Sequence, residues 1–143
     1  MTADNEVVEN LRIFTTDKQP GIYIVGKKNV VVRNCSIIHH AQTVWPFGNG
    51  IYFAGADNLT IQDVDVQLVG VKSGPLPDLH NYNINGLSSS GVRMSNIRAT
   101  GGSSGIFLES CPGAHVSNFV ATNVRAVPER PVPAGGALGR LCA

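Results

Sequence analysis

Most side chains that could exchange protons near neutral pH lie in two polar, aromatic-rich segments, residues 38–49 and 67–82. Three of the four histidines fall there. Histidine, lysine, tyrosine and carboxylate side chains can serve as general acids or bases. The sequence therefore makes His40, Lys72, Asp78 and His80 the candidate catalytic residues.

The elements that would position these segments form an internal repeat. The stretches GIYIVGKKNVVVRNCSI (21–37) and GIYFAGADNLTIQDVDV (50–66) align without a gap. The shared frame recurs at 83–99 and 105–121, and a partial copy begins at Val8. A fixed frame repeated along a chain is typical of a solenoid, in which each copy packs on its neighbours.

Each copy predicts three short strands, because apolar residues alternate with polar ones. The alternation assigns one set of side chains to the interior: Ile22, Ile24, Val30, Val32, Cys35, Ile37, Ile51, Phe53, Leu59, Ile61, Val64 and Val66. Val30, Leu59, Val92 and Ala114 should form one inward column. Most length variation falls between the third strand of one copy and the first strand of the next.

An Asn/Asp column separates the second and third strands, at residues 10, 34, 63, 96 and 118. Asn and Asp tolerate the left-handed backbone conformation, so they suit a tight bend that restores the alternation. Stacked one per turn, they would form a hydrogen-bonded ladder. We expect Asn96→Ala to cost about 1–3 kcal/mol through lost bonds to buried partners.

The repeat resembles the right-handed parallel β-helix repeat of the pectate-lyase-like superfamily, over residues 8–121. The resemblance implies an all-β solenoid of about five turns. Leucine-rich and left-handed hexapeptide repeats do not fit the spacing. Residues 1–126 are assigned to the β-helix, and residues 127–143 to a Pro/Gly-rich tail or an incomplete final turn that could begin near Leu138.

The same resemblance implies ligands along the outer face of the first strands. The outward column there is Tyr23, Tyr52, Asn85 and Phe107, and four parallel strands span roughly 15 Å. Aromatic rings on this column could hold sugar rings, or they could instead stack to stabilise neighbouring strands. Trp45 and Tyr82, from the adjacent long segments, complete the predicted substrate-binding set.

Two functions therefore remain open. The first is polysaccharide recognition by a β-helix that is not catalytic by itself. The second is a part in a polysaccharide lyase, epimerase or glycoside hydrolase acting on a glycan that contains uronate. The paired aspartates of related hydrolases and the aspartate cluster that binds calcium in pectate lyases are not visible, which leaves the question of enzymatic activity open.

A metal site is not predicted, because His39 and His40 are neighbours on an extended segment and should point to opposite faces. A glycosidase needs two carboxylates about 5–10 Å apart, and Glu109 stands alone on or beside the first strands. Asp63 and Asp65 are close in sequence. However, Asp63 occupies the ladder position and Asp65 points outward on the third strand, away from the predicted groove.

The composition of the chain gives little reason to expect certain classes of partner. The net charge of +1 gives no electrostatic reason to expect nucleic acid or a membrane surface as a partner. No cofactor is predicted, and no signal peptide or membrane-spanning segment is visible, so the location is undetermined. Solenoid ends need caps, and no persuasive cap is evident at either end. We therefore expect self-association through the ends.

Overall fold

In a computed structural model, described over residues 3–16, 19–40, 48–70, 81–124 and 141–142, the chain forms stacked turns of β-strands. The strands are β1 (Val7–Glu9), β2 (Arg12–Thr16), β3 (Ile22–Val25), β4 (Val31–His40), β5 (Ile51–Ala54), β6 (Thr60–Val69), β7 (Tyr82–Leu87), β8 (Arg93–Thr100), β9 (Ser104–Glu109), β10 (His115–Thr122) and β11 (Leu141–Cys142).

From β2 to β11, successive strands alternate between two sheets. One sheet runs β1-β4-β6-β8-β10, with β2 also beside β4, and the other runs β3-β5-β7-β9-β11. The pairs from β1 to β10 are parallel, whereas β11 runs antiparallel to β9. Because each turn adds one strand to each sheet, the predicted parallel β-helix of about five turns is confirmed.

The prediction of three strands per turn was wrong in one respect. The predicted second and third strands are one continuous strand, such as β4, with a bend inside it. At the bend Asn34 has φ +49° and Asp63 has φ +53°. One left-handed residue rotates the pleat, and the pairing to the neighbouring strands skips this residue and resumes in register beyond it. Val32 and Cys35, on either side of Asn34, are therefore both buried.

The interior matches the predicted apolar columns. All twelve predicted inward residues, from Ile22 to Val66, belong to the buried core. Val30, Leu59 and Val92 are buried in one column, and Ala114 packs against it partly buried. Cys35 is buried among them and is a free cysteine.

The predicted ladder is present at the bend as two runs of hydrogen bonds, one that joins residues 10 and 34 and one that joins residues 63, 96 and 118. Asn34 Nδ2 donates to Asn10 Oδ1 at 2.6 Å, Asn96 Nδ2 to Asp63 Oδ1 at 2.7 Å and Asn118 Nδ2 to Asn96 Oδ1 at 2.6 Å. All five residues are exposed. The expectation of buried partners was therefore wrong, because the ladder lies on the outer surface of the coil.

A second asparagine column lies on another corner of the coil. Asn58 Nδ2 donates to Asn29 Oδ1 at 2.8 Å, and Asn29 Nδ2 donates to Asn5 Oδ1 at 2.9 Å. All three have positive φ angles. The coil is thus stabilised along its axis by two parallel rows of amide hydrogen bonds.

A third corner, which leads into the first strands, is buried and tightly packed. A Cβ on Gly21 would lie 2.5 Å from Ile37 Cγ2, and one on Gly50 would lie 2.2 Å from Val66 Cγ1. One turn later Asn83 takes the corresponding place, opposite the smaller Ala99. Its Nδ2 donates to the carbonyl oxygens of Val66 at 2.9 Å and Thr100 at 3.1 Å.

The two ends of the coil differ. At the front, Val7, Leu11 and Phe14 are exposed on or beside β1 and β2. At the back, β11 lies against β9 in antiparallel orientation, so this segment does not continue the parallel coil. Leu138 lies outside the described residues.

Candidate functional site

The first-strand sheet places the predicted outward column in register. Tyr23 pairs with Tyr52, Tyr52 with Asn85, and Asn85 with Phe107. Inward neighbours such as Ile24 and Phe53 are fully buried and hold each strand against the core. A ligand lying along the coil axis would therefore meet one column residue per turn.

The aromatic members of this surface form two stacked pairs. The ring centroids of Tyr23 and Tyr52 are 5.4 Å apart with the planes 12° from parallel. Those of Tyr82 and Phe107 are 4.7 Å apart at 11°. Offset stacking stabilises the neighbouring strands. Because the paired rings face each other, stacking covers one face of each ring, and a ligand can contact the ring edges and the tyrosine hydroxyls.

Tyr52 has a perturbed hydroxyl. Desolvation by burial, and then the neighbouring Tyr23 phenol, raise the pKa of Tyr52 above its ordinary value. The hydroxyl is therefore protonated across the physiological range and can donate a hydrogen bond. The half-exposed Tyr23 lies beside it, so the two hydroxyl-bearing rings form one polar rim on an apolar stack.

Asn85 stands between the two aromatic pairs, and its surroundings are unusual. It was predicted as an outward groove residue, yet only 1% of its surface is exposed. Its Oδ1 is buried and has no hydrogen-bond partner among the residues that the structure describes. An unsatisfied buried amide oxygen costs folding free energy, and such a group can be explained by an absent water or ligand donor.

Of the four predicted catalytic residues, His40 lies in the described part of the chain. His40 is exposed at the end of β4, which belongs to the other sheet and not to the first-strand sheet. In that sheet it pairs with Thr16 of β2 and Val69 of β6. Lys72, Asp78, His80 and the predicted ligand residue Trp45 lie outside the described residues. His39 is fully buried, so the prediction that His39 and His40 point to opposite faces is confirmed.

The sequence reasoning missed a groove of about 540 Å³ on the outer side of the bent strands. The ladder residues from Asn10 to Asn96 form one wall. The next outward column, Arg12, Ser36, Asp65 and Arg98, forms the other. Asp65 was predicted to point away from the first-strand groove, and no second groove was predicted on its side of the coil. The available signal was its position two residues after the one acidic member of the ladder.

Two negative observations apply to the ranges that the structure describes. They hold no group of three or more histidine, cysteine or acidic residues that could bind a metal ion. They also contain no helix with the length and apolar character needed to cross a membrane.

The family model for the right-handed β-helix region matches residues 2–127. The match covers most of the 143 residues, so the chain belongs to the right-handed β-helix family. Neither a curated protein nor a solved structure matches the chain.

Proposed function

We propose that the chain binds a polysaccharide along the outer face of the first-strand sheet and does not turn it over by itself. The observation that carries the proposal is the unpartnered, buried Oδ1 of Asn85, which lies between two aromatic pairs. Sugar hydroxyls are donors that would satisfy this oxygen once the side chains that cover Asn85 move aside, because only 1% of the residue is exposed without a ligand. Apolar ring edges beside such a polar group are common in sites for small ligands.

The spacing of the column supports an extended ligand rather than a single sugar. Tyr23, Tyr52, Asn85 and Phe107 lie on four adjacent parallel strands, which span roughly 15 Å. A chain of a few sugar units has a comparable length. The rim of tyrosine hydroxyls would contact its hydroxyl groups, and Asn85 would fix its position along the coil.

A glycan array followed by calorimetry with the best-binding glycan tests this proposal. We expect Asn85→Ala to weaken binding about tenfold, the equivalent of one hydrogen bond of about 1.4 kcal/mol. Its melting temperature should not fall, since the change removes an unsatisfied buried oxygen. Tyr23→Ala should also weaken binding. Phe14→Ala, which removes an exposed aromatic ring from the other sheet, should not.

Turnover is tested on the same glycans by the ultraviolet absorbance of an unsaturated product and by the release of reducing ends. Binding without either signal supports recognition alone. Turnover abolished by His80→Ala would replace this proposal with the lyase, epimerase or hydrolase alternative. Absence of binding to every glycan, or unchanged affinity in Asn85→Ala, would contradict the site.

A further inference from the structure

The groove on the outer side of the bent strands lies on a different sheet from the aromatic column. Its second wall runs Arg12, Ser36, Asp65 and Arg98 on four neighbouring strands. Two arginines therefore lie at its ends, and Asp63 and Asp65 lie near its centre. A groove with this arrangement offers hydrogen-bond acceptors in the middle and donors at both ends.

The ladder that forms the first wall is interrupted inside this groove. Every ladder bond has an Nδ2 of the later turn as donor and an Oδ1 of the earlier turn as acceptor. Asp63 has a carboxylate and no Nδ2, so it cannot donate to Asn34 in this way. In the part of the chain that the structure describes, Asn34 Oδ1 has no hydrogen-bond donor.

The carboxylate of Asp63 is already engaged elsewhere. Its Oδ1 accepts from Asn96 at 2.7 Å, and its Oδ2 accepts from Gln62 Nε2 at 3.0 Å. It therefore does not compensate for the missing bond to Asn34. The interruption therefore leaves two acceptors, Asn34 Oδ1 and the Asp63 carboxylate, next to each other on the neighbouring strands β4 and β6.

Asp65 supplies another unsatisfied acceptor in the same groove. Within the described ranges of the chain its Oδ1 is buried without a hydrogen-bond partner, and its Oδ2 accepts from Gln67 Nε2 at 3.4 Å. Arg98 is the register partner of Asp65 on the next strand, yet no ion pair joins them in the described structure. Asn34 is exposed, so its Oδ1 is open to a donor from solvent or from a ligand, whereas the Oδ1 of Asp65 is buried and lacks a donor among the described residues.

The charges restrict the ligand that can supply those donors. A polyanion would meet the two carboxylates at the centre, and a polycation would meet an arginine at each end. A neutral ligand with several hydroxyl groups can donate to the central oxygens and accept from the arginines. Successive sugar units are separated by about the spacing of parallel strands, roughly 5 Å, so each unit would meet one turn.

We propose that this groove is a second carbohydrate site, for a neutral oligosaccharide that lies along the coil axis, replaces water as the donor to Asn34 Oδ1 and donates a second hydroxyl hydrogen to the carboxylate of Asp65. The site is independent of the aromatic column. It rests on the interrupted ladder and on the unsatisfied Asp65, and neither is needed for the first proposal.

The test uses the whole chain and three neutral probes: cellotetraose, maltotetraose and mannotetraose. Side-chain amide resonances of asparagines are followed by nuclear magnetic resonance during titration. We expect at least one probe to shift the amides of Asn34 and Asn96. Asp63→Asn should weaken its affinity at least fivefold, because the introduced side-chain amide would donate to Asn34 Oδ1 and close the gap. Asp65→Asn should also weaken it.

Asp57→Asn is the matched control. It removes the same charge from an exposed residue of the same turn, on another corner, where Asp57 accepts from Ser90. Asn85→Ala separates the two proposals, since it should leave these amide shifts unchanged. Three outcomes would overturn the second site: no shift with any probe, equal weakening by Asp57→Asn, or shifts caused by calcium chloride and not by the sugars.

Discussion

The exposed corner at the Asn ladder and the buried corner that leads into the first strands turn the chain by different means. At the exposed corner, a left-handed Asn or Asp bends each strand, and its side chain bonds its neighbours in water. At the buried corner, Gly21 and Gly50 leave no room for a side chain, and Asn83 makes its bonds inside the coil. We therefore expect burial, more than the number of hydrogen bonds, to set how much each corner contributes to the free energy of unfolding.

The largest expected effect is at the buried corner. Gly50→Ala places a Cβ against Val66 Cγ1 and the carbonyl oxygen of Asn83. We expect a loss of about 3 kcal/mol in unfolding free energy, typical of overpacking against backbone. Chemical denaturation measures it. The double variant with Val66→Ala should recover part of the loss, and strictly additive losses would contradict the steric explanation.

The next effect tests the buried hydrogen bonds. Asn83→Ala removes the donors to the carbonyl oxygens of Val66 and Thr100, and should cost about 2 kcal/mol. The Oδ1 of Asn83 has no hydrogen-bond partner in the described part of the chain, so its removal offsets a part of the cost. Chemical denaturation of Asn83→Ala and Asn96→Ala under the same conditions compares the unfolding free energy lost at the two corners. An equal loss in Asn96→Ala would contradict the larger contribution of the buried corner.

A smaller effect is expected at the exposed ladder. Asn96→Ala loses bonds to Asp63 and Asn118 and places alanine at φ +53°. We expect a cost of about 1 kcal/mol. Asn96→Gly separates the two causes, because glycine tolerates this backbone conformation. If the glycine variant is as unstable as the alanine variant, the hydrogen bonds account for the cost and the backbone does not.

The smallest effect should be a gain. Asp63→Asn supplies the missing donor to Asn34 and makes the ladder continuous, like the unbroken row of Asn5, Asn29 and Asn58. We expect about 0.5–1 kcal/mol of added stability, since both partners are exposed. Thermal unfolding of Asp63→Asn and the control Asp57→Asn would show it, and an equal change in both would indicate a simple charge effect.

The sequence could predict the coil because its determinants are local and periodic. Alternation assigned Ile22, Phe53 and Val66 to the core, and the Asn column marked the bends. The continuous strands were missed because a left-handed residue looks like a strand end in sequence, although Asn34 changes the pleat and the pairing resumes in register beyond it. The candidate site was partly predictable, since register follows from the repeat and brings Tyr23, Tyr52, Asn85 and Phe107 together.

The sequence by itself determined the family, the stacking register and the identity of the inward residues, because each follows from a pattern that neighbouring residues create. Only the tertiary structure decided that Asn85 is buried without a partner, that the ladder is exposed and that Asp65 shares a groove with Arg12. These properties depend on how turns of unequal length stack. A residue pattern specifies which way a side chain points, whereas its burial and its hydrogen-bond partners come from turns that lie more than twenty residues away along the chain.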